Sequence, residues 1–213
     1  MIDLLVGIAF LVLLAAVVPA ALPRRHHYGP RINCTCNLKQ VGLSFMQWGL
    51  DHQDRFPMEV SVANGGTKEF VNSGVVWVHF MVMSNELNTP KVLFCPADEG
   101  RRETAANTFG SATCQGQVPF TNDNNVSYFV GIDAVQTNTT MFLTGDRNLT
   151  NSANRNRRLV QFPTNQLAGW THDLHGRMGN VGLADGSVQQ LTTSRLRLAL
   201  IETGVATNRL AMP

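Results

Sequence analysis

The hydrophobic pattern begins with an uninterrupted apolar run over residues 4–22, which contains no charged or strongly polar side chain. As a helix, 19 residues would extend about 28 Å, close to the thickness of a bilayer core. A cleaved signal peptide would carry Lys or Arg ahead of its apolar run, but none precedes this one. A helix at the surface of a hydrophobic core would be amphipathic, but this run is not. The run therefore predicts a long N-terminal hydrophobic helix that lies in a membrane.

A break follows over residues 23–30, where two prolines and a glycine disfavour a helix. Residues 37–54 then carry four large apolar side chains at helical spacing: Leu38, Val41, Phe45 and Trp48. We expect an amphipathic helix here, with Met46 and Leu50 widening its apolar face and Pro57 ending the pattern.

Beyond Pro57, short apolar runs alternate with turn residues, which is typical of strands. The runs lie at residues 74–80, 92–94, 127–130, 141–143, 181–183 and 188–191. Helix is an alternative around residues 75–86, and residues 194–200 fit either an edge strand or a short final helix. The pattern predicts an α+β protein, with a helical N-terminal part at residues 1–54 and a head with an antiparallel sheet at residues 55–213.

Composition excludes some classes of protein but does not identify a function. Hydrophobic residues make up 44% and charged residues 15% of the chain, which excludes intrinsic disorder. The net charge of +2 gives no reason to expect nucleic acid as a partner. Four arginines cluster near an Asn-rich stretch, and we interpret them as part of a solvated loop or a contact between subunits rather than a phosphate site: Arg147, Arg155, Arg157 and Arg158.

The segment around His172 and His175, with Asp185 downstream, resembles a metal or active site most closely. The two histidines would share a face if the segment were helical, but no second His-rich motif completes a catalytic metal centre. We favour a β-hairpin over residues 180–190 with Asp185-Gly186 in its turn, and a structural role for His175 in anchoring a loop by hydrogen bonding.

A family resemblance spans nearly the whole chain. Asp3-Leu4-Leu5 followed by the apolar run with Pro19 resembles the N-terminal segment of type IV pilins and type II secretion pseudopilins. His175-Gly176, nine residues before Asp185-Gly186, resembles the prepilin-like proteins with an H-X9-DG C-terminal domain. Further segments of that family occur in the expected order at residues 36–42, 54–57, 93–98, 127–128 and 145–148.

The resemblance implies a structural subunit with no catalytic activity. It would rest in the inner membrane with an extracytoplasmic head, meet the inner-membrane assembly machinery, and form a homo-oligomeric helical filament at the cell surface or across the periplasm. Asp3 would pair with the N-terminal amine of a neighbouring subunit, and Leu4, Leu5 and Pro19 would belong to the filament core. The alternative is a membrane-anchored binding module that does not polymerise and uses a metal site near His175 and Asp185.

The resemblance implies no cofactor apart from an alternative structural Ca²⁺, with five candidate ligands: Asp123, Asp133, Asp146, Asp173 and Asp185. It also places the cysteines in an oxidising compartment. Cys34 and Cys36 are too close in sequence to pair comfortably with each other. We therefore expect a bridge from Cys95 to Cys114, or bridges from these two to the Cys34–Cys36 segment, with four free thiols as the remaining alternative.

Overall fold

The computed structural model describes residues 6–7, 29–151, 158–164 and 167–213. Among these residues, the longest helix is α1 (Gly29–Leu50), and shorter helices are α2 (Trp77–Met81), α3 (Ser84–Leu87) and α4 (Thr193–Glu202). Short 3-10 helices occur at Pro57–Glu59, Val62–Asn64, Lys68–Phe70, Pro90–Leu93, Glu99–Thr104 and Asp123–Asn125.

In the described part of the chain, eight strands form two antiparallel sheets, so the predicted α+β class with an antiparallel sheet is confirmed. The strands are β1 (Tyr128–Gly131), β2 (Phe142–Asp146), β3 (Leu149–Asn151), β4 (Leu159–Pro163), β5 (Ala168–Trp170), β6 (Met178–Leu183), β7 (Val188–Thr192) and β8 (Thr207–Ala211). The main sheet has the order β4-β8-β1-β2-β6-β7, and β3 pairs with β5 in a separate ribbon.

The main sheet has a hydrophobic cluster on each face. Tyr128 and Leu143 belong to the cluster that contains the buried side of α1. Phe129, the neighbour of Tyr128 in β1, belongs to the cluster that contains Leu196 and Leu200 of α4. Successive side chains of a strand point to opposite faces of a sheet, so the central strands separate the two helices and are buried on both sides.

The prediction of a long N-terminal hydrophobic helix is wrong for the structure as described. The long helix is α1, and no helix among the described residues combines the length and apolar character needed to cross a membrane. Of the apolar run, only Val6 and Gly7 are described. The candidate assembly residues Asp3, Leu4, Leu5 and Pro19 and most of the predicted break lie outside the described residues.

Helix α1 also differs from the predicted boundaries of residues 37–54. It begins at Gly29 and includes Pro30, because a proline in the first turn of a helix removes no intrahelical hydrogen bond. It ends at Leu50, and the chain then turns through Gln53 and Asp54, which both have positive φ values. Leu50 is 74% exposed, so it does not widen the buried face.

The four side chains predicted to form the apolar face of α1 are buried: Leu38, Val41, Phe45 and Trp48. Two predicted strands are helical instead. Residues 74–80 contain the start of α2, as the helix alternative foresaw, and residues 92–94 lie at the end of a 3-10 helix. The segment after β7 is the final helix α4, which excludes the edge strand there.

Candidate functional site

Several of the segments that carry the family resemblance, although far apart in the sequence, meet where α1 crosses the main sheet. The Cys34–Cys95 disulfide joins α1 to the segment after Pro90–Leu93, across 61 residues of chain. Asn37, less than one turn further along α1, donates from Nδ2 to the carbonyl of Phe94 at 3.0 Å. These contacts fix the first half of α1 to the head.

Asp98 and Arg147 form a buried ion pair beside this junction. Asp98 is fully buried, and Arg147 donates two hydrogen bonds of 2.7 Å to its two carboxylate oxygens. The Ser127 hydroxyl donates a third at 2.9 Å. The hydrogen bonds that Arg147 donates to Asp98 raise the pKa of Arg147, while burial lowers it. The pair links the loop after Cys95 to the ends of strands β1 and β2.

His175 lies at the centre of the junction and is 4% exposed. Its Nε2 is 3.5 Å from Cys95 Sγ and 3.4 Å from Asp146 Oδ2. Its backbone carbonyl accepts a 2.9 Å hydrogen bond from the Arg31 guanidinium. His175 therefore connects the loop before β6 to α1 and to β2, which agrees with the expected anchoring of a loop.

Asp146 is fully buried in β2 and is oriented by Asn180 of β6. Asn180 donates to Asp146 Oδ2 from its backbone nitrogen at 2.6 Å and from Nδ2 at 2.9 Å. Asp146 Oδ1 has no hydrogen-bond partner in the structure as described. Oγ1 of Thr35 in α1 is 3.3 Å from Asn180 Oδ1, so α1 also contacts the Asp146–Asn180 pair.

Burial shifts the pKa values of His175 and Asp146 in opposite directions, each toward the uncharged form of the group. Burial lowers the pKa of His175 to about 4, and the charge of Arg31 lowers it further in the same direction. Burial raises the pKa of Asp146 to about 7, although the two hydrogen bonds from Asn180 oppose that shift. Both shifts have the same consequence: burial disfavours the charged imidazolium and the charged carboxylate at this contact.

Asp185 and Gly186 form the predicted turn of the β6–β7 hairpin. The exposed Asp185 side chain accepts a 2.8 Å hydrogen bond from the Ser187 nitrogen, and Gly186 has a φ of +79°. Gly186 lies against α1, because a Cβ built on Gly42 would be 3.3 Å from its Cα. The two ends of the H-X9-DG segment therefore contact α1 at different levels, near residues 31–34 and near residue 42, which are about 12 Å or more apart along the helix axis.

This separation contradicts a metal site made by His175 together with Asp185. His172 does not share a face with His175 either: the segment is a loop, and exposed His172 accepts a 2.5 Å hydrogen bond from Arg177 Nε. Among the described residues, one group of three potential metal ligands has its ligand atoms within 4.8 Å of one another, and it consists of Cys34, Cys95 and His175.

The calcium candidates do not meet in one site. Asp123 accepts hydrogen bonds from the backbone nitrogens of Val76 and Trp77, at the start of α2. Asp133 pairs with Arg209 at the surface. Asp173 accepts a hydrogen bond from the Thr171 hydroxyl. Asp146 is bound by Asn180 in the interior, and Asp185 lies in the β6–β7 turn.

The arginine cluster is divided by the fold. Arg147 is 21% exposed and bound to the fully buried Asp98, whereas Arg158 is 69% exposed and lies 3.7 Å from Asp123. Arg155 and Arg157 lie outside the described residues. Arg147, Arg158 and Arg177 contribute to the lining of an open cleft of about 1040 Å³ beside the β3–β5 ribbon.

The disulfide agrees with half of one predicted alternative, in which Cys95 and Cys114 both pair with the Cys34–Cys36 segment. Cys95 pairs with Cys34 of the predicted segment, and not with Cys114. Cys36 and Cys114 are free and exposed. The sequence interpretation missed Arg31, Thr35 and Asn180, although each lies within a few residues of a family-like segment.

Burial limits what this junction can do chemically. Its acid, imidazole and disulfide are 0–4% exposed, so a substrate could not reach them without opening the contact between α1 and the sheet. The arrangement is suited to holding α1 against the main sheet. No family model, curated protein or solved structure matches this chain.

Proposed function

We propose that this protein is a non-enzymatic structural subunit, similar to pilins and pseudopilins, that assembles into an extracytoplasmic filament. The observation that carries the proposal is an exposed apolar stripe along the outer side of α1. Ile32, Leu43 and Leu50 are 60%, 61% and 74% exposed, and Cys36 lies on the same side. Their spacings of four and seven residues place all four on one side of the helix.

Helix α1 therefore has apolar side chains on two sides. The inner side packs on the head, and the outer side remains uncovered in a single chain. Exposed apolar side chains aligned along one helix are suited to contact with another helix. The one charged member of the stripe is Lys39, which is also exposed and would need a carboxylate or solvent at the contact.

Two further observations support the extracytoplasmic filament. A Cys34–Cys95 disulfide suits an oxidising compartment. The apolar run at residues 4–22 precedes α1 and would hold the subunit at the inner membrane before assembly. Because Asp98, Asp146 and His175 are buried around the junction, we assign them the role of keeping α1 rigidly attached to the head, so that a filament can bear load through both.

The test is electron microscopy of material sheared from cells that express the full chain. We expect filaments from the wild-type chain and none from Leu43→Glu, because a carboxylate in the stripe would be desolvated at the contact. Gln161→Glu is the matched control, since it adds the same charge at an exposed position of β4, outside α1. Circular dichroism should show the same fold for both variants.

Filaments that persist in Leu43→Glu would overturn the proposed contact. A wild-type chain that stays entirely in the membrane fraction, with no filament under any condition, would overturn assembly itself. That second result would favour the anchored binding module.

A further inference from the structure

We propose that the outer stripe of α1 binds the exposed face of α4 on a second copy of this chain, with the two helices antiparallel. The inference rests on the proposed function, because it names the surface that receives the stripe during assembly. The stripe consists of Ile32, Cys36, Lys39, Leu43 and Leu50, and the α4 face consists of Arg195, Leu198, Ile201 and Glu202.

These two surfaces hold most of the exposed large apolar side chains. Of the nine such side chains among the described residues, three lie on the stripe and three lie on or beside α4. Leu198 and Ile201 of α4 are 48% and 54% exposed. Leu167 is also exposed, and it adjoins α4 because the carbonyl of the next residue, Ala168, accepts a 2.9 Å hydrogen bond from Arg197 Nε. Clustered apolar side chains of this kind are suited to a contact with another protein surface.

The two surfaces carry complementary charges. Lys39 is the cation of the stripe, and Glu202 places a carboxylate at the end of α4. Neither side chain forms an ion pair within the described part of the chain. Arg195 lies in the first turn of α4, so α4 has a cation near its N-terminus and an acid at its C-terminus. Both charges oppose the helix dipole, so the stability of α4 itself does not account for them.

The order of the charges selects antiparallel helices. In a parallel contact with Leu43 against Leu198, Lys39 would lie near Arg195, and like charges across an interface cost free energy. In an antiparallel contact, Lys39 faces Glu202. Leu43 is then about 6 Å further along α1, and Leu198 is about 6 Å back along α4, because each is four residues from its charged neighbour at about 1.5 Å per residue. The two leucines therefore meet beside the ion pair.

The contact joins two different surfaces of the chain. Helices α1 and α4 lie on opposite faces of the main sheet, so each copy can bind one neighbour through α1 and another neighbour through α4. A contact of this type adds copies in one direction, and it forms an open helical array unless the rotation between copies closes a ring. A stripe on one helix can build a filament in this way.

The test is disulfide crosslinking in cells that express the full chain with Cys36→Ser and Cys114→Ser, which remove both exposed thiols. Leu43→Cys and Leu198→Cys are added singly and together, and intact cells are treated with a copper–phenanthroline oxidant. We expect a ladder of multimers on non-reducing gels when both cysteines are present, and monomer from each single variant. Leu43→Cys combined with Val62→Cys is the matched control and should give monomer, because Val62 is equally exposed, at 49%, but lies outside α4.

A charge exchange tests the ion pair in the same crosslinking assay. Lys39→Glu and Glu202→Lys should each lower the yield of multimers by about 5-fold or more, because repulsion replaces attraction at the contact. The two changes together should restore the yield, which a merely misfolded variant would not do. Lys68→Glu and Glu103→Lys make the same changes at exposed positions outside both helices and should leave the yield unchanged.

The proposal is overturned if the chain with both cysteines gives no ladder, or if the Val62→Cys control gives the same ladder. Dimers from Leu43→Cys alone or from Leu198→Cys alone would overturn it as well, because they would show α1 against α1 or α4 against α4. Electron microscopy of the same cells separates this contact from the proposed function. Filaments without a ladder overturn the α1–α4 contact alone, a ladder without filaments supports the contact and overturns filament assembly, and the absence of both overturns both.

Discussion

Gly42 of α1 and Gly186 of the β6–β7 turn lie in backbone contact: a Cβ built on Gly42 would be 3.3 Å from the Cα of Gly186. Gly186 has a φ of +79°, a conformation that favours glycine. A side chain at residue 42 would require the hairpin to move away from α1 by at least a few tenths of an ångström. Together with His175 at the other end of the H-X9-DG segment, it attaches the C-terminal hairpin to the helix at two levels.

Replacing Gly42 with leucine tests this approach. We expect Gly42→Leu to lower the free energy of unfolding by about 2–3 kcal/mol, because the side chain must displace the Gly186 backbone from a packed interface. Gln40→Leu places the same side chain on the exposed side of α1 and should change stability by less than about 0.5 kcal/mol. Urea unfolding of the two variants measures the difference, and equal midpoints would show that the contact is not tightly packed.

The Asp98–Arg147 ion pair should contribute far more to the free energy of unfolding than the more exposed Asp133–Arg209 pair. Arg147→Met leaves the fully buried Asp98 carboxylate without its cation, which should cost about 3–5 kcal/mol. Arg209 makes a similar two-bond contact with Asp133, but both side chains are 32% exposed. Arg209→Met should therefore cost less than about 1 kcal/mol. Similar losses for the two variants in chemical denaturation would argue against a buried Asp98.

The disulfide should be a major source of stability. Closing a loop across 61 residues of chain restricts the unfolded state by about 4 kcal/mol in the chain-entropy model. We expect the Cys34→Ser, Cys95→Ser double variant to lose about this amount, measured by urea unfolding. Cys36→Ser and Cys114→Ser change exposed free thiols and should leave the midpoint unchanged. A loss produced by the second pair instead would indicate a different pairing.

The dependence of stability on pH should reveal the buried acid. His175 and His79 have pKa values lowered to about 4 by burial, so between about pH 4 and 6.5 the unfolded chain binds two more protons at these sites. Asp146, with its pKa raised to about 7, binds one more proton in the folded chain over the same range. The histidines make stability rise with pH and Asp146 makes it fall, which leaves a net rise of about 1.4 kcal/mol per pH unit.

Asp146→Asn removes the opposing effect while keeping an acceptor for Asn180. The rise should then steepen to about twice the wild-type slope. The free energy of unfolding at pH 4.5 and pH 6, in oxidised protein, measures both slopes. An unchanged slope would mean that Asp146 is ionised in the folded protein at these pH values.

Local signals in the sequence were sufficient for several elements. The 3.6-residue spacing from Leu38 to Trp48 identified the buried side of α1, because each of these positions repeats the same direction on the helix. Asp185-Gly186 identified its turn, because a short polar side chain and a residue free to adopt positive φ are what that turn requires.

Other parts could not be read from neighbouring residues. The run at residues 74–80 is apolar enough for a strand, yet α2 begins within it, where the backbone nitrogens of Val76 and Trp77 bind Asp123 some 46–47 residues later in the chain. A periodic pattern gives no information on a partner at that distance. The outer stripe of α1 was missed for a related reason: exposure depends on what the rest of the chain covers.

The sequence by itself determined the α+β class with an antiparallel sheet, the buried side of α1 and the hairpin turn, since these follow from preferences acting over a few residues. Only the tertiary structure decided that Cys34 pairs with Cys95, that Asp98 holds Arg147, and that His175 is buried against Asp146. Those contacts join residues 29–61 positions apart, and they form because the helix packs across the sheet at one place. The packing of whole elements selects these partners, and no local pattern specifies it.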